Sequence, residues 1–128
     1  MITLQELSQF LDSLLTPEAI EDYCPNGLQV EGKKEIRRVA FAVSASLEAI
    51  DAAVRMQADA LIVHHGMLWQ KEPLPIVGPR KEKLRLLLEK GISLFGYHLP
   101  LDAERTIGNN WKAAVDLKWE KLTPFGVH

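Results

Sequence analysis

Three short apolar segments constrain the fold of this chain most strongly. They are residues 39–43 (VAFAV), 60–63 (ALIV) and 92–97 (ISLFGY), and segments with helical periodicity separate them. Strands that alternate with helices pair in parallel through right-handed crossovers. We therefore predict an α/β fold with a βαβαβ core, in which helices flank a mostly parallel or mixed sheet. In this arrangement we expect residues 39–43 to be buried on both faces.

Four segments with helical spacing surround these strands. The first opens on a capping box formed by Thr3 and Glu6 and ends at Pro17. The other predicted helices cover residues 47–54, 80–90 and 108–115. The remaining predicted elements are a short helical piece at 19–22, a short strand at 28–30 and a loop at 67–79.

Length and composition favour a single globular domain. The chain has 128 residues, of which 47% are hydrophobic and 25% charged, so we expect residues 1–128 to form one domain. The 15 basic residues against 17 acidic ones disfavour a nucleic-acid partner. No apolar run reaches the roughly 18 residues that span a bilayer, so no membrane partner is expected. A single cysteine and a start unlike a signal peptide predict a cytoplasmic protein.

Histidines follow two neighbouring strands of the predicted sheet. His64 and His65 end the second strand, His98 follows the third, and Asp102 lies four residues further on. Because parallel strands present their carboxyl ends at one edge, these side chains are expected to lie close together there. Imidazole and carboxylate are ligands for zinc, iron, manganese or nickel. The alternative is that histidines at a strand end only hydrogen-bond the backbone.

Adjacent histidines on a regular strand point to opposite faces, so His64 and His65 do not easily share one ion. Two neighbouring divalent ions, bridged by Asp102 and water, fit this pattern better. Such a pair lowers the pKa of the bridging water and so supplies a nucleophile at neutral pH.

Other residues carry weaker signals. Cys24 is either a nucleophile or, more simply, a small core residue. Trp69 either stacks on a planar ligand or closes the core. Residues 108–110 (GNN) are expected to cap a helix, whose N-terminus could bind an anion. The terminal His128 is expected to fray. The chain contains neither a GxxxxGK[ST] nor a GxGxxG nucleotide-binding motif.

Four segments together match a known family. They are residues 25–32 (PNGLQVEG), 58–66 (ADALIVHHG) with Trp69 following, 96–103 (GYHLPLDA) and 108–110 (GNN). In this order and spacing, the chain resembles the Nif-three-like family, whose bacterial members are commonly labelled GTP cyclohydrolase I type 2 homologues. The resemblance covers the N-terminal half of that family's fold.

The resemblance implies a dinuclear site, a ring-shaped hexamer built from dimers and a cytoplasmic location. By position, His64 and His65 match the paired metal-ligand histidines and Asp102 matches the bridging aspartate. His98 matches the histidine of the same motif, beside the metals. Family members are longer than this chain. Their C-terminal half supplies a further histidine and glutamate from a His-x-x-x-Glu helix, a pattern that these 128 residues do not contain.

Two functions follow from these patterns. The first is a metal-dependent hydrolase of the GTP cyclohydrolase type that acts on a nucleotide-like heterocycle. In it, His64, His65 and Asp102 hold the metal ions and His98 is the catalytic residue that moves protons. The second is a non-catalytic metal-binding or assembly module that lacks the C-terminal ligands and is covered by a partner or by a second copy.

Overall fold

The computed structural model describes residues 1–125, so His128 lies outside the described residues. In chain order the elements are β1 (Ile2–Thr3), α1 (Leu4–Leu15), β2 (Gly27–Val30), β3 (Glu35–Ile36), β4 (Val39–Ser44), α2 (Leu47–Arg55), β5 (Ala60–His65), α3 (Gly78–Lys90), β6 (Ser93–Gly96), α4 (Leu99–Ala103) and α5 (Asn109–Asp116). Within residues 1–125, none of these helices combines the length and the apolarity that a membrane crossing requires.

Four strands form the central sheet in the order β2-β6-β5-β4. β4 pairs in parallel with β5, and β5 pairs in parallel with β6, whereas β2 is antiparallel to β6. The predicted α/β fold with a mixed sheet and a βαβαβ core is therefore confirmed. Because β5 and β6 run in the same direction, the residues that follow them lie at one edge of the sheet.

Helices cover both faces of this sheet. α1 begins with the predicted capping box, in which Glu6 donates its backbone N–H to Thr3 Oγ1 at 3.1 Å and Thr3 donates to Glu6 Oε2 at 2.7 Å. Four leucines at helical spacing bury the inner side of α1 against one face. The other face packs against α2 and α3 through a second apolar cluster that includes Ile50, Leu61 and Leu87. The two apolar clusters form a core on both faces of the sheet that carries the candidate site.

One predicted feature of the core is wrong. Residues 39–43 were expected to be buried on both faces, but Phe41 is 77% exposed and Val43 is 70% exposed. β4 is an edge strand of the sheet, and within the described residues no element covers its outer part on the face that carries α1. Ala40 and Ala42 on the opposite face do pack against the α2 and α3 side.

Several element boundaries also differ from the predicted ones. In place of the helical piece at 19–22, a 3₁₀ turn covers Pro17–Ala19. α3 begins at Gly78, inside the predicted loop, with Pro79 in its first turn. The five-residue α4 and the two-residue strands β1 and β3 were not predicted, because segments this short carry no measurable periodicity.

Candidate metal centre

Four polar side chains meet at the carboxyl end of β5 and β6. His64 and His65 are the last two residues of β5, His98 lies between β6 and α4, and Asp102 lies in α4. Each histidine offers one ring nitrogen, and these three nitrogens all lie within 4.8 Å of one another. Asp102 Oδ2 lies 3.6 Å from His64 Nε2. The structure therefore brings together the four residues that the sequence singled out.

The two adjacent histidines converge more closely than regular strand geometry predicts. The ring centroids of His64 and His65 are 4.6 Å apart, and those of His64 and His98 are 5.0 Å apart. Both residues lie at the very end of β5, so their rings extend past the sheet edge toward His98. The expectation that His64 and His65 point to opposite faces is therefore wrong.

Each histidine uses its Nδ1 atom for a fixed hydrogen bond. His64 Nδ1 donates to the carbonyl of Tyr97 at 3.0 Å. His65 Nδ1 lies 2.9 Å from Ser44 Oγ, and His98 Nδ1 lies 3.1 Å from a carboxylate oxygen of Asp22. A ring held through Nδ1 keeps Nε2 available as a ligand, and metal-binding histidines are commonly held this way. These partners belong to β4, the residue that follows β6 and the segment before β2, so the fold itself sets the ring orientations.

Asparagines at the start of α5 hold the carboxylate of the cluster. Asn109 Nδ2 donates to Asp102 Oδ1 at 2.8 Å, and Asn110 Nδ2 donates to the Asp102 backbone carbonyl at 3.0 Å. The N-cap of α5 is Gly108, which makes no side-chain capping bond. The two asparagines of the GNN segment therefore position Asp102 and leave its Oδ2 directed toward His64.

Asp22 anchors His98, a role that no sequence pattern indicated. Its side chain is 2% exposed and accepts hydrogen bonds from His98 Nδ1, Asn26 Nδ2 and the backbone N–H groups of Tyr23 and Leu99. Burial alone raises the pKa of Asp22, but these hydrogen bonds outweigh it and lower the pKa to about 2. Asn26 also accepts the backbone N–H of His98 at 2.7 Å. His98 is thus fixed at both ring and backbone.

Gln29 holds the turn that follows His65. Its Oε1 accepts the backbone N–H of Met67 at 2.8 Å, and its Nε2 donates to the carbonyl of Pro25 at 2.9 Å. The side chain lies directly against Gly66, where an added Cβ would approach Gln29 Oε1 to 2.3 Å. A side chain at position 66 would therefore require the Gln29 amide to shift. The resembling segment PNGLQVEG contains Gln29, but sequence patterns alone did not reveal the contact.

Two aromatic rings flank the histidines. The Trp69 centroid lies 5.2 Å from that of His98 in an edge-to-face arrangement and 6.4 Å from that of His65. Tyr23 lies in the segment before β2 and is exposed. Its ring centroid is 5.8 Å from that of His98. Gln70 joins the two segments by donating its backbone N–H to the Tyr23 carbonyl at 3.0 Å. The half-buried Trp69 and the exposed Tyr23 could contact a planar ligand at the cluster.

Electrostatics favour the neutral, metal-binding form of His65. Burial lowers the pKa of His65, and the neighbouring His64 and His98 lower it further against the opposing effect of Asp102.

The pKa of the Cys24 thiol shifts in the other direction. Burial raises the pKa of its thiol to about 11, and the nearby Asp22 carboxylate adds to the rise. Cys24 is thus a buried thiol, as the small-core interpretation expected, and its protonated state disfavours a role as nucleophile.

The fold and the cluster define a class of protein: a mixed α/β domain with histidines and a carboxylate gathered at the carboxyl ends of its parallel strands. The family model of Duf34/NIF3 (NGG1p interacting factor 3) matches residues 2–128, and the chain belongs to this family. The resemblance to the Nif-three-like family is therefore confirmed.

Curated relatives carry the name GTP cyclohydrolase 1 type 2 homolog. One from Chlamydia pneumoniae is 46% identical over 126 residues, which cover 98% of this chain and 50% of the relative. Another, from Yersinia pestis, is 46% identical over 127 residues, covering 94% of this chain and 51% of the relative. This chain thus spans about half the length of the curated relatives that it matches.

Solved structures show the same relationship. The crystal structure of TTHA1606 from Thermus thermophilus superposes with a TM-score of 0.91 at 42% identity, covering 97% of this chain and 51% of that one. Reduced HcgD from Methanocaldococcus jannaschii superposes with a TM-score of 0.87 at 27% identity, covering 96% and 50% of the two chains. The described domain is similar in fold to about half of each of these proteins.

Proposed function

We propose that this domain binds divalent metal ions through His64, His65 and Asp102 and contributes them to the active site of a metal-dependent hydrolase. The observation that carries the proposal is the set of three imidazoles, each held through Nδ1, with their ligand nitrogens within 4.8 Å of one another. Metal-binding histidines are commonly held through their other ring nitrogen in this way.

The donor set fits a divalent transition metal. Neutral imidazole nitrogens and a carboxylate oxygen suit zinc, iron, manganese or nickel, and the described residues place a single, protonated thiol nearby. We propose that His64, His65 and Asp102 would hold two ions, with the His98 ring close to the same cluster. Four protein donors are too few for two complete coordination shells, so water, another subunit or further polypeptide supplies the rest.

Divalent ions bound here would supply Lewis acidity and a nucleophilic water at neutral pH. The chain's own residues complete the chemistry. His98, oriented by Asp22, is placed to hold or move a proton at Nε2. Trp69 and Tyr23 are placed to contact a planar substrate, for which we propose a nucleotide-like heterocycle. The names of the curated relatives, GTP cyclohydrolase 1 type 2 homolog, support this substrate class.

The remaining parts of the proposal concern assembly and location. A homo-oligomer, with a hexamer as the full assembly, and a cytoplasmic location are both proposed from the resemblance to the family. The nearly balanced charge supports a small-molecule substrate over a nucleic-acid partner.

A second function is favoured by the small number of donors. A domain with His64, His65, His98 and Asp102 alone could bind metal without turning over a substrate, as an assembly module covered by a partner. The two functions share metal binding and differ in catalysis, so they are separated by a turnover assay on protein of known metal content.

Elemental analysis of protein purified without an affinity tag or chelator tests the metal site. We expect up to two transition-metal ions per chain, and we expect His65→Ala and Asp102→Asn to lose most of this metal while the fold stays intact by circular dichroism. Asp116→Asn, which changes an exposed carboxylate paired with Lys112, serves as the control and should retain the metal.

Turnover then decides between the two functions. Release of formate or of a ring-opened product from a guanine nucleotide, lost in His98→Ala that still holds metal, supports the hydrolase. Full metal content without turnover of purine or pteridine nucleotides supports the non-catalytic module. A metal-free protein whose histidine variants change nothing would contradict both.

A further inference from the structure

The three histidines of the cluster differ in the chemistry of the group that holds Nδ1. The Nδ1 atom of His64 lies 3.0 Å from the carbonyl oxygen of Tyr97. The Nδ1 atom of His98 lies 3.1 Å from the carboxylate of Asp22. Carbonyl and ionised carboxylate oxygens accept hydrogen bonds and cannot donate them. In both neutral rings the proton is therefore on Nδ1 and the lone pair is on Nε2.

His65 is held by a group that can act in either direction. Its Nδ1 atom lies 2.9 Å from Ser44 Oγ, and a hydroxyl both donates and accepts. In one arrangement the ring donates from Nδ1 to Oγ, which leaves the lone pair on Nε2. In the other arrangement the hydroxyl donates to Nδ1, which places the ring proton on Nε2. The contact with Ser44 therefore permits both tautomers of His65.

Strand pairing fixes Ser44 beside His65. Ser44 ends β4, His65 ends β5, and the two residues are partners in the parallel ladder. The backbone N–H of Ala45 also donates to the carbonyl of His65 at 2.8 Å. The two tautomers therefore differ at this contact only in the direction in which the Ser44 hydroxyl points. Ser44 is half-buried, so water can accept the hydroxyl proton when Oγ accepts from the ring.

The convergence of the three rings selects one tautomer of His65 when the cluster holds no cation. One ring nitrogen of each histidine lies within 4.8 Å of those of the other two, and lone pairs that face one another at this range repel. A proton on one Nε2 relieves the repulsion. His64 and His98 cannot take it without turning a lone pair toward an oxygen that only accepts. The proton therefore belongs on His65, whose partner is a hydroxyl.

We propose that Ser44 is a positioning residue that lets His65 change tautomer at the metal site, while His64 and His98 keep theirs. In the metal-free chain the Ser44 hydroxyl donates to Nδ1, and Nε2 carries the ring proton. When a divalent cation is held, Nε2 gives up its proton to solvent water, Nδ1 takes one from solvent, and Oγ accepts from Nδ1. The ring stays neutral throughout. The metal-bound half of this proposal rests on the proposed function, and the metal-free half does not.

Long-range proton–nitrogen NMR of the isotopically labelled, metal-free chain tests the first half. Ring nitrogens with and without a proton have well-separated chemical shifts, and at about pH 8 an ordinary imidazole is neutral. We expect the proton on Nδ1 in His64 and His98 and on Nε2 in His65. In Ser44→Ala the two nitrogen shifts of His65 should move toward each other, because both tautomers become populated. One shared tautomer in all three rings, or a His65 spectrum unchanged by Ser44→Ala, would overturn the proposal.

Zinc titration tests the second half. With zinc bound, the proton of His65 should appear on Nδ1. Ser44→Ala should weaken zinc binding about 10-fold or more, and Ser44→Thr, which keeps the hydroxyl, should restore most of the affinity. Ser13→Ala changes an exposed serine on α1 and is the matched control, and circular dichroism checks that each variant folds.

The outcomes separate this proposal from the proposed function. Zinc that binds while His65 keeps its proton on Nε2, or that binds wild type and Ser44→Ala equally, would overturn the role of Ser44 and leave the proposed metal site standing. A chain that binds no zinc would contradict the proposed function and the metal-bound half together. The metal-free spectra of wild type and Ser44→Ala would then decide the role of Ser44.

Discussion

Asp22 and His98 are 76 positions apart in the sequence, and in the folded chain Asp22 Oδ1 lies 3.1 Å from His98 Nδ1. The contact joins the turn before β2 to the turn after β6, two segments that meet because these strands are neighbours in the sheet. A carboxylate that accepts from the Nδ1–H of an imidazole fixes the ring and leaves Nε2 as the ring nitrogen without a proton in the neutral form. His98 therefore enters the cluster with its orientation and tautomer set by Asp22.

Replacing this carboxylate with an amide should destabilise the fold. Asp22→Asn puts an NH2 group where an oxygen accepts from Asn26 and from the Leu99 N–H, so buried donors lose their acceptor. We expect the free energy of unfolding in urea, measured at about pH 7 with chelator present, to fall by about 2–4 kcal/mol. Asp116→Asn on α5 should change it by less than about 0.5 kcal/mol. Equal stabilities of Asp22→Asn and wild type would contradict the anchoring role.

The low pKa of Asp22 predicts how the free energy of unfolding changes with pH. Its pKa is about 2 in the folded chain, against an ordinary value of 3.8. A carboxyl whose pKa is lowered by folding stabilises the fold above its unfolded pKa, and this stabilisation is lost as the pH falls through about 4 toward 2. Between about pH 5 and pH 3, wild type should lose about 1 kcal/mol more than Asp22→Asn in metal-free urea titrations. Parallel losses in the two proteins would show that Asp22 does not carry this dependence.

The contact between Gly66 and Gln29 predicts a coupled pair of substitutions. Gly66→Ala drives a methyl group into the Gln29 amide, which two hydrogen bonds hold in place, and should cost about 1–3 kcal/mol of stability. Gln29→Ala costs stability of its own because the Met67 N–H loses its acceptor. The double variant should nevertheless be less destabilised than the sum of the single variants by about 1 kcal/mol, because the clash is gone. Strict additivity in this cycle would contradict the steric explanation.

Asn109 should tune metal affinity without affecting the fold. It donates to Asp102 Oδ1 from an exposed position, so Asn109→Ala removes an orienting contact and little else. Loss of such a contact typically weakens metal binding by about 10-fold or more. Zinc titration against a chelating indicator should show this decrease, with an unchanged unfolding midpoint for the metal-free protein. Lys112→Ala on the same helix is the control, and an equal effect there would indicate a nonspecific cause.

The architecture was predictable from the sequence because its main determinant is local. The apolar segments of β4, β5 and β6, separated by helical periodicity, imply a parallel core whatever the surrounding detail. The exposure of Phe41 was not predictable in this way, because an apolar run looks the same in a central strand and at an open edge. Strand order decides between the two, and strand order depends on contacts distant in sequence.

The candidate site also contains some residues that the sequence reveals and others that depend on contacts distant in sequence. His64, His65, His98 and Asp102 were found because each lies at or just beyond a strand end, a position that sequence reveals. Asp22 and Gln29 were missed because each acts through a hydrogen bond to a segment more than about 35 residues away. The convergence of the adjacent histidines was also missed, since side chains alternate between faces inside a strand but less strictly at its end.

Anomalous diffraction from crystals of this chain grown with zinc tests the proposed metal site most directly. We expect anomalous peaks at the end of β5, about 2.0–2.2 Å from the Nε2 atoms of His64 and His65 and from a carboxylate oxygen of Asp102. The Nδ1 atoms should keep their present partners. Zinc held elsewhere in the chain, or bound to these histidines through Nδ1 with the contacts to Tyr97 and Ser44 broken, would contradict the proposed site.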